Sequence, residues 1–376
     1  MFGTVVRSSW HAIFLLRPQR SINSMRDLKI VLTACGCPGA STLLRMLKAN
    51  HGERKVEIIG TDMDKEAIGR FLADKFYQVP AGSSPDYIPT MMHILEKEKP
   101  DILFPESSFE VYHLARAKKE LESTGTKVLV SDPEPILLAN NKLAMYDILR
   151  SQTSLALPPY YPAKTFDEFM AALDKLGYPE KPIIFKPQIG KGSRGVRIID
   201  PKVNRKDQLL NYKPTSKYMS LEEFEGIFRE EDEFPKLLVM AFLEGGEVTT
   251  DTIAFRGEEL FTTVKTVEQA RWGVIVRGEL IRRPDLVQQT REILQAIPLS
   301  YCNNLQFIGD KLIEINPRVS SFIYQENLIT PYLAVKFILG ELSKDDLRAL
   351  TKKIDYGRRM VRYMDQIFHK NLERVL

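Results

Sequence analysis

Residues 312–318 hold the types and spacing best suited to chemistry: Leu312, Ile313, Glu314, Ile315, Asn316, Pro317 and Arg318, with Gln306 shortly upstream. Glu314 and Asn316 lie two apart in an apolar, β-branched run, so on a strand they project from one face. A carboxylate and amide oxygens on one face suit Mg²⁺, a hard cation that combines few protein ligands with phosphate oxygens and water. A nearby arginine such as Arg318 could hold a transferring phosphoryl group. The same pattern also suits an ordinary strand end with solvated polar residues.

A second cluster stands in the middle of the chain. Gln188, Ile189, Gly190, Lys191, Gly192, Ser193, Arg194 and Gly195 form a basic, glycine-rich loop after the strand-like run 182–187. Gly190, Gly192 and Gly195 would let backbone N–H groups approach phosphate oxygens, while Lys186, Lys191 and Arg194 add positive charge. The loop is not a P-loop, which needs GxxxxGK[ST] leading into a helix. Alone, it also fits a flexible solvated hairpin.

The elements that must position these residues follow from periodicity and turn signals. Apolar runs at 29–34 and 56–62 flank a glycine turn and a helix-periodic stretch at 41–48, a strand–helix–strand unit of the parallel kind. Further strands are expected at 102–105 and 128–130, with helices around 87–97 and 109–122, which makes residues 27–135 a doubly wound α/β domain. From 136 to 340 a helix at 142–150 precedes strands at 182–187, 196–199, 236–242, 249–255, 259–267 and 274–276. Helices are expected near 221–229, 284–296, 331–339 and 344–352, and residues 341–376 read as a helical tail. No internal repeat is evident.

The first glycine turn, Gly36, Cys37, Pro38 and Gly39, raises an alternative. A glycine turn after the first strand and an acid, Asp62, ending the second is how a dinucleotide fold grips pyrophosphate and ribose. The turn lacks the spaced third glycine, and Pro38 removes a backbone N–H where a phosphate would want one. An NAD(P)-dependent oxidoreductase is the reading this turn keeps open.

Composition sets the outer bounds. At 376 residues, 44% hydrophobic and 27% charged, the chain is long enough for two or three domains with a sizeable core. Its 53 basic and 49 acidic residues leave a net charge of +4, too even to argue for nucleic acid. Three cysteines, two of them the close pair Cys35 and Cys37, fit a reducing, cytoplasmic compartment, and small buried residues in a tight turn are the expected role of that pair. Before Asp27 the chain is acid-free, with Arg7, Arg17, Arg20 and Arg26 around an apolar run at 12–16 too short to span a bilayer. Residues 1–26 therefore read either as a disordered leader or as a start placed upstream of Met25. No membrane is implied.

In sequence order these pieces resemble an ATP-grasp enzyme, similar to carbamoyl-phosphate synthase large-subunit modules and related carboxylate–amine ligases. The resemblance runs from Lys29 to Glu341 and includes the phrases at 58–62 and 72–75. It implies a pre-ATP-grasp domain at 27–135 and a two-lobed ATP-grasp domain at 136–340, with a lid lobe at about 155–242. Lys142, in the segment 141–146, and Lys186 would contact nucleotide phosphates. Gly190, Gly192, Ser193 and Gly195 would belong to the mobile loop that covers them. The backbone at Phe242 and Leu243 would meet the adenine, and Glu247 would accept from the ribose hydroxyls. Gln306, Glu314 and Asn316 fall on the positions for Mg²⁺ or Mn²⁺, and Arg318 on that of the arginine that stabilises the transferred phosphoryl group. Ala241 departs from the family, which usually carries Glu there.

The activity implied is ATP-dependent activation of a carboxylate as an acylphosphate, which an amine or another nucleophile attacks, with release of ADP and phosphate. Small carboxylic acids and amines would be the partners, and a homodimer is the family's habit. One module points to a single activation step. An inactive nucleotide-binding relative is the second implication, carried by Ala241. The acceptor pocket would draw on Glu106, Ser107 and Ser108, on the stretch from Arg271 to Arg277, and on residues 320–327.

Overall fold

The computed structural model describes residues 25–190, 194–213, 216–271, 274–319 and 328–374. Residues 1–24 of the expected leader lie outside them. Its last two residues contact the first domain: Arg26 pairs with Asp101 at 2.6 Å, and the Arg26 carbonyl and the Met25 sulfur accept from Arg54.

The first domain runs β1 (Leu28–Leu32), α1 (Ala40–Ala49), β2 (Val56–Asp62), α2 (Gly69–Leu72), β3 (Lys75–Gln78), α3 (Tyr87–Glu98), β4 (Ile102–Phe104), α4 (Val111–Arg116), α5 (Lys118–Glu122) and β5 (Lys127–Val128). Its five strands are all parallel in the order β3-β2-β1-β4-β5. Apart from Lys29 near its start, β1 is apolar and buried on both faces, as a parallel sheet between helices requires. The order reverses direction between β1 and β4, so a crevice opens where those two strands end, beside Thr33 and Glu106.

Next come α6 (Pro133–Asn140), α7 (Lys142–Gln152), β6 (Tyr160–Ala163), α8 (Phe166–Leu176), β7 (Ile183–Pro187), β8 (Arg197–Ile199), α9 (Arg205–Asn211), β9 (Tyr218–Met219), α10 (Leu221–Phe228) and β10 (Leu237–Ala241). Strands β6-β10-β7-β8-β9 form a small sheet. α8 and α10 start on Thr165 and Ser220, whose hydroxyls accept from the Glu168 and Glu223 N–H groups. One side of this lobe is filled by aromatic rings: Phe169 and Phe224 stack at 3.9 Å, with Phe185 edge-on to both.

The remainder is β11 (Glu247–Phe255), β12 (Glu258–Val267), β13 (Gln269–Arg271), β14 (Val274–Ile281), α11 (Pro284–Ala296), β15 (Tyr301–Ile308), β16 (Lys311–Asn316), α12 (Thr330–Ile338), α13 (Lys344–Leu350) and β17 (Arg359–Val361), with a last hairpin of β18 (His369–Lys370) and β19 (Glu373–Arg374). An antiparallel sheet in the order β13-β14-β12-β11-β15-β16, with β17 added against β14, forms the floor of the molecule. The segment expected to be a helical tail carries one helix, α13. It then returns as strand β17, because the backbone of residues 359–361 completes the hydrogen bonds of β14, a partner no local pattern reveals. No helix among the described residues is long and apolar enough to cross a membrane.

Candidate active site

The site forms where three segments far apart in sequence meet. Asn141 caps α7 by accepting from the Ala144 N–H, which fixes Lys142 as the first helical residue. The Lys142 N–H donates to the Gln188 carbonyl at 2.9 Å, tying this helix start to the entry of the glycine loop. Its ammonium donates to the Gly190 carbonyl at 3.0 Å and lies 3.5 Å from a Glu314 carboxylate oxygen. Lys186 reaches the same place from β7, donating to the Ile313 carbonyl at 2.9 Å. Tyr146, one helical turn beyond Lys142 and fully buried, donates to the next carbonyl along, that of Leu312. Two ammonium groups thus converge on the start of the Glu314–Arg318 segment, held there by oxygen atoms of the kind a phosphate presents.

Electrostatics fit that role. Burial, and then the like charge of Lys142, pulls the Lys186 ammonium down to about 8, with Glu314 opposing. A buried amine under this pressure gains most from an anion. Glu247 opens β11 on the same side; burial raises its carboxyl above the usual range, Lys217 opposes, and Glu314 adds repulsion. Phe242 and Leu243 form the half-buried link between β10 and Glu247. Ala241, at the end of β10, gives its N–H to the Pro159 carbonyl.

Cross-strand register assembles the oxygen donors. Gln306 on β15 stands opposite Glu314 on β16, and Asn304 opposite Asn316. Opposite residues share a sheet face, so Gln306, Glu314 and Asn316 form one patch. Among the described residues no three His, Cys, Asp or Glu side chains gather around a common point. A cation here would rest on one carboxylate and amide oxygens, with phosphates completing its shell, and the donor set fits Mg²⁺ or Mn²⁺ serving a nucleotide.

The glycine loop is described only in part. Gly192 and Ser193 lie outside the described residues, as does Lys191. Gly195 has φ +73°, and a Cβ there would meet the Pro187 ring at 2.7 Å, so only glycine closes the loop onto β7. Gly190 offers its carbonyl to Lys142. The guanidinium of Arg194 sits 5.7 Å from the centroid of the Phe109 ring of the first domain.

Arg318 leaves β16 toward the crevice of the first domain, and its Nε donates to the Ser108 hydroxyl at 2.8 Å. Beside it Glu106 is 5% exposed, and its Oε2 has no hydrogen-bond partner among the described residues. Burial pushes the Glu106 carboxyl well up, with the Arg318 charge opposing and Glu110 and Asp62 reinforcing. Glu110 is satisfied by Thr33, Tyr87 and the Ser107 N–H. Arg271 and Arg277 are exposed on the β13–β14 hairpin, where Arg277 bonds Gln269, and among the described residues they make no contact with Arg318 or Glu106. A second arginine, Arg362, stands just past β17, where its charge acts on the Glu106 carboxyl and its guanidinium donates to Thr42 and to the Ile275 carbonyl. Residues 320–327 lie outside the described residues.

The turn after β1 is used internally. Asp62, the acid that a dinucleotide fold would give to ribose, accepts from the Gly36 N–H at 2.7 Å and from the Asp64 N–H. Cys35 is buried against Gly69, where an added Cβ would meet its sulfur, and burial pushes the Cys37 thiol up to about 12. Both cysteines are held as thiols in a packed turn.

Sequence reasoning missed Tyr146, Arg362 and a buried row of Asp251, Lys265 and Asn304. A signal for the last was present: Asp251 and Lys265 each interrupt a run of threonines and aliphatics that reads as a buried strand.

Two family models match the chain: "PylC-like, N-terminal domain" over residues 30–129 and "ATP-grasp in the biosynthetic pathway with Ter operon" over residues 233–359. The carbamoyl phosphate synthase large chain of Clostridium acetobutylicum is 24% identical over 314 residues, covering 80% of this chain. This chain spans about a quarter of that relative, 26% of its length. A formate-dependent phosphoribosylglycinamide formyltransferase of Pseudomonas savastanoi is 24% identical over 45% of this chain and 43% of its own. Among solved structures, the biotin carboxylase domain dimer of the Hydrogenobacter thermophilus 2-oxoglutarate carboxylase, in complex with MgADP, ADP and bicarbonate, aligns with a TM-score of 0.59 at 16% identity, over 86% of this chain and 72% of that one. N5-carboxyaminoimidazole synthetase of Staphylococcus aureus with ADP aligns at 0.55 and 15% identity, over 86% and 76%. The chain belongs to the ATP-grasp superfamily, and it is related to the carbamoyl phosphate synthase large chain. Its fold is the one typical of ATP-dependent carboxylate ligases and carboxylases.

Proposed function

We propose that the protein is an ATP-dependent ligase that activates a carboxylate as an acylphosphate and passes the acyl group to an amine or another nucleophile, releasing ADP and phosphate. The observation that carries this reading is the convergence of two lysines at the start of the segment that ends in Arg318, Lys142 at 3.5 Å from Glu314 and Lys186 at 2.9 Å from the Ile313 carbonyl. A carboxylate is a poor electrophile because oxide would have to leave; phosphorylation replaces oxide with phosphate.

The chain's residues divide that task. Lys142 and Lys186 neutralise phosphate charge, Phe242 and Leu243 offer backbone to the base, and Glu247 accepts from the ribose. Gln306, Glu314 and Asn316 would hold Mg²⁺ or Mn²⁺. Once bound, such a cation offsets charge on the phosphates. Arg318 meets the negative charge that develops as the γ-phosphoryl group moves to the acid. The glycine loop, anchored through Gly190 on Lys142 and through Gly195 on Pro187, excludes water that would hydrolyse the acylphosphate. Glu106 and Arg362 flank the crevice beyond Arg318, where the guanidinium would meet an acid and the buried Glu106 carboxyl could hydrogen-bond an amine.

The protein mixed with ATP, Mg²⁺ and a library of amino acids and small acids should release phosphate with some acid–amine pair. Folded protein that binds no ATP-Mg²⁺ would overturn the reading.

A further inference from the structure

The sheet face that carries Glu247, Gln306, Glu314 and Asn316 continues inward as a row of buried polar groups. Strand alternation puts Thr249 and Asp251 of β11, Lys265 of β12 and Asn304 of β15 on that face. Their registers agree: Thr249 stands opposite Gln306 and Lys265, and Asp251 opposite Asn304.

The row is wired in one direction. Lys265 is fully buried and forms an ion pair with Asp251, itself 6% exposed. Asp251 Oδ1 accepts from Asn304 Nδ2 at 2.8 Å, and Asn304 Oδ1 accepts from Asn316 Nδ2 at 3.4 Å. Asn304 Nδ2 also donates to the Thr250 carbonyl at 3.4 Å, and a carbonyl only accepts, so Asn304 turns its NH₂ toward β11 and Asp251 and its oxygen toward Asn316. Asn316 then commits its own NH₂ to that oxygen, and its carbonyl oxygen occupies the other corner of the amide.

Stability alone is a poor reason for such a pair. Apolar residues of similar volume in place of a buried ion pair are often neutral or stabilising. Orienting a ligand through an outer shell is a task that apolar residues cannot perform.

We propose that Lys265 and Asp251 are positioning residues that, through Asn304, fix the amide of Asn316 so that its carbonyl oxygen is the atom offered to a divalent cation. The inference rests on the ligase reading and deepens its metal site.

The test uses the full chain and Mn²⁺ titrated by electron paramagnetic resonance at saturating ADP, with ADP binding in EDTA measured alongside. Changing both partners, Asp251→Leu with Lys265→Met, avoids leaving a lone buried charge. The double variant should bind Mn²⁺ roughly ten- to a hundred-fold more weakly, the range for outer-shell changes, while metal-free ADP binding stays within about twofold. In an Asn316→Asp background, where either carboxylate oxygen can face the cation and no orientation is needed, the same double change should move Mn²⁺ affinity by less than about threefold, because the outer-shell range no longer applies. Unaltered Mn²⁺ affinity in the first background, or equal weakening in both, overturns the positioning role while leaving the ligase reading intact. Wild-type protein that binds ADP but no Mn²⁺ overturns the metal site and this role together.

Discussion

The two sheets that enclose the proposed nucleotide site spend their faces differently. In the small lobe, one face of β6-β10-β7-β8-β9 is given to an aromatic core of Phe169, Phe185 and Phe224 under α8 and α10, and Lys186 is the charged residue its strands send to the site. In the large sheet, one end of a face is polar: Glu247, Thr249, Asp251, Lys265, Asn304, Gln306, Glu314 and Asn316 lie along β11, β12, β15 and β16, before the face turns apolar at Ile253, Phe261 and Cys302. The small lobe is a packed lever with one charge at its tip, and the large sheet is a floor whose polar groups must satisfy one another. Function in the first depends on hydrophobic packing at a distance from the chemistry. In the second it depends on hydrogen-bond direction within it.

Substitutions can break this contrast, and the floor should give the largest effect. Glu314→Ala removes the carboxylate of the metal patch and should lower ATP-dependent phosphate release by about 10²–10³-fold in a steady-state assay, with the unfolding midpoint little changed. Release at wild-type rate would end the catalytic reading of that residue. At the tip of the lever, Lys186→Met should weaken ATP binding by roughly ten- to a hundred-fold, the loss of one to two charge-assisted hydrogen bonds.

The same lysine predicts a pH dependence. Its folded-state pKa, about 8, lies below the ordinary lysine value of 10.5, so the unfolded chain holds more protons between those pH values. This group's contribution to stability therefore rises as pH climbs from about 8 to 10.5, whereas ATP, which needs the ammonium, binds more weakly over the same window. Calorimetry on wild type and Lys186→Arg checks it: the arginine variant should lose the fall in affinity above pH 8.

In the body of the lever, Phe224→Ala empties the aromatic core and should cost about 3–5 kcal/mol in the lobe's stability, visible as faster amide exchange in β7 and β10 while the first domain's sheet stays protected. Equal loss of protection in both would show that the lobe does not act as a separate unit. The smallest effect is expected at the crevice. Ser108→Ala removes one hydrogen bond from the Arg318 guanidinium and should raise the KM for the acid by less than about tenfold, leaving ATP affinity unchanged.

Much of this arrangement was legible in the chain. The alternation of Glu314 and Asn316, the glycine loop after Lys186 and the order of these pieces rest on local spacing. The parallel first domain follows from apolar runs separated by helix-periodic stretches. Other parts depend on contacts between distant segments and leave no local trace. Strand β17 pairs with the edge of β14 that β13 leaves open along residues 277–279, so a stretch that could have been helical is extended instead. β15 opens at Tyr301 with φ +59°, an unusual conformation for a tyrosine, and its polar run from Asn303 to Gln306 hides a strand whose polar face is buried in the site.

What the sequence by itself determined is which residues can do chemistry: oxygen donors on alternate positions of a strand, lysines beside glycines, an arginine past a proline. These follow from periods of two and 3.6 residues, which the backbone imposes locally. Only the tertiary structure decided which of them meet. It set Lys142 against Glu314 and Lys186 against the Ile313 carbonyl, brought Arg362 near Glu106, used Asp62 to hold its own turn, and linked Lys265 to Asn316 through Asp251 and Asn304. The physical reason is that burial and strand register are properties of the packed chain: they decide which charges lose water and which amides must turn, and neither is written at any one position.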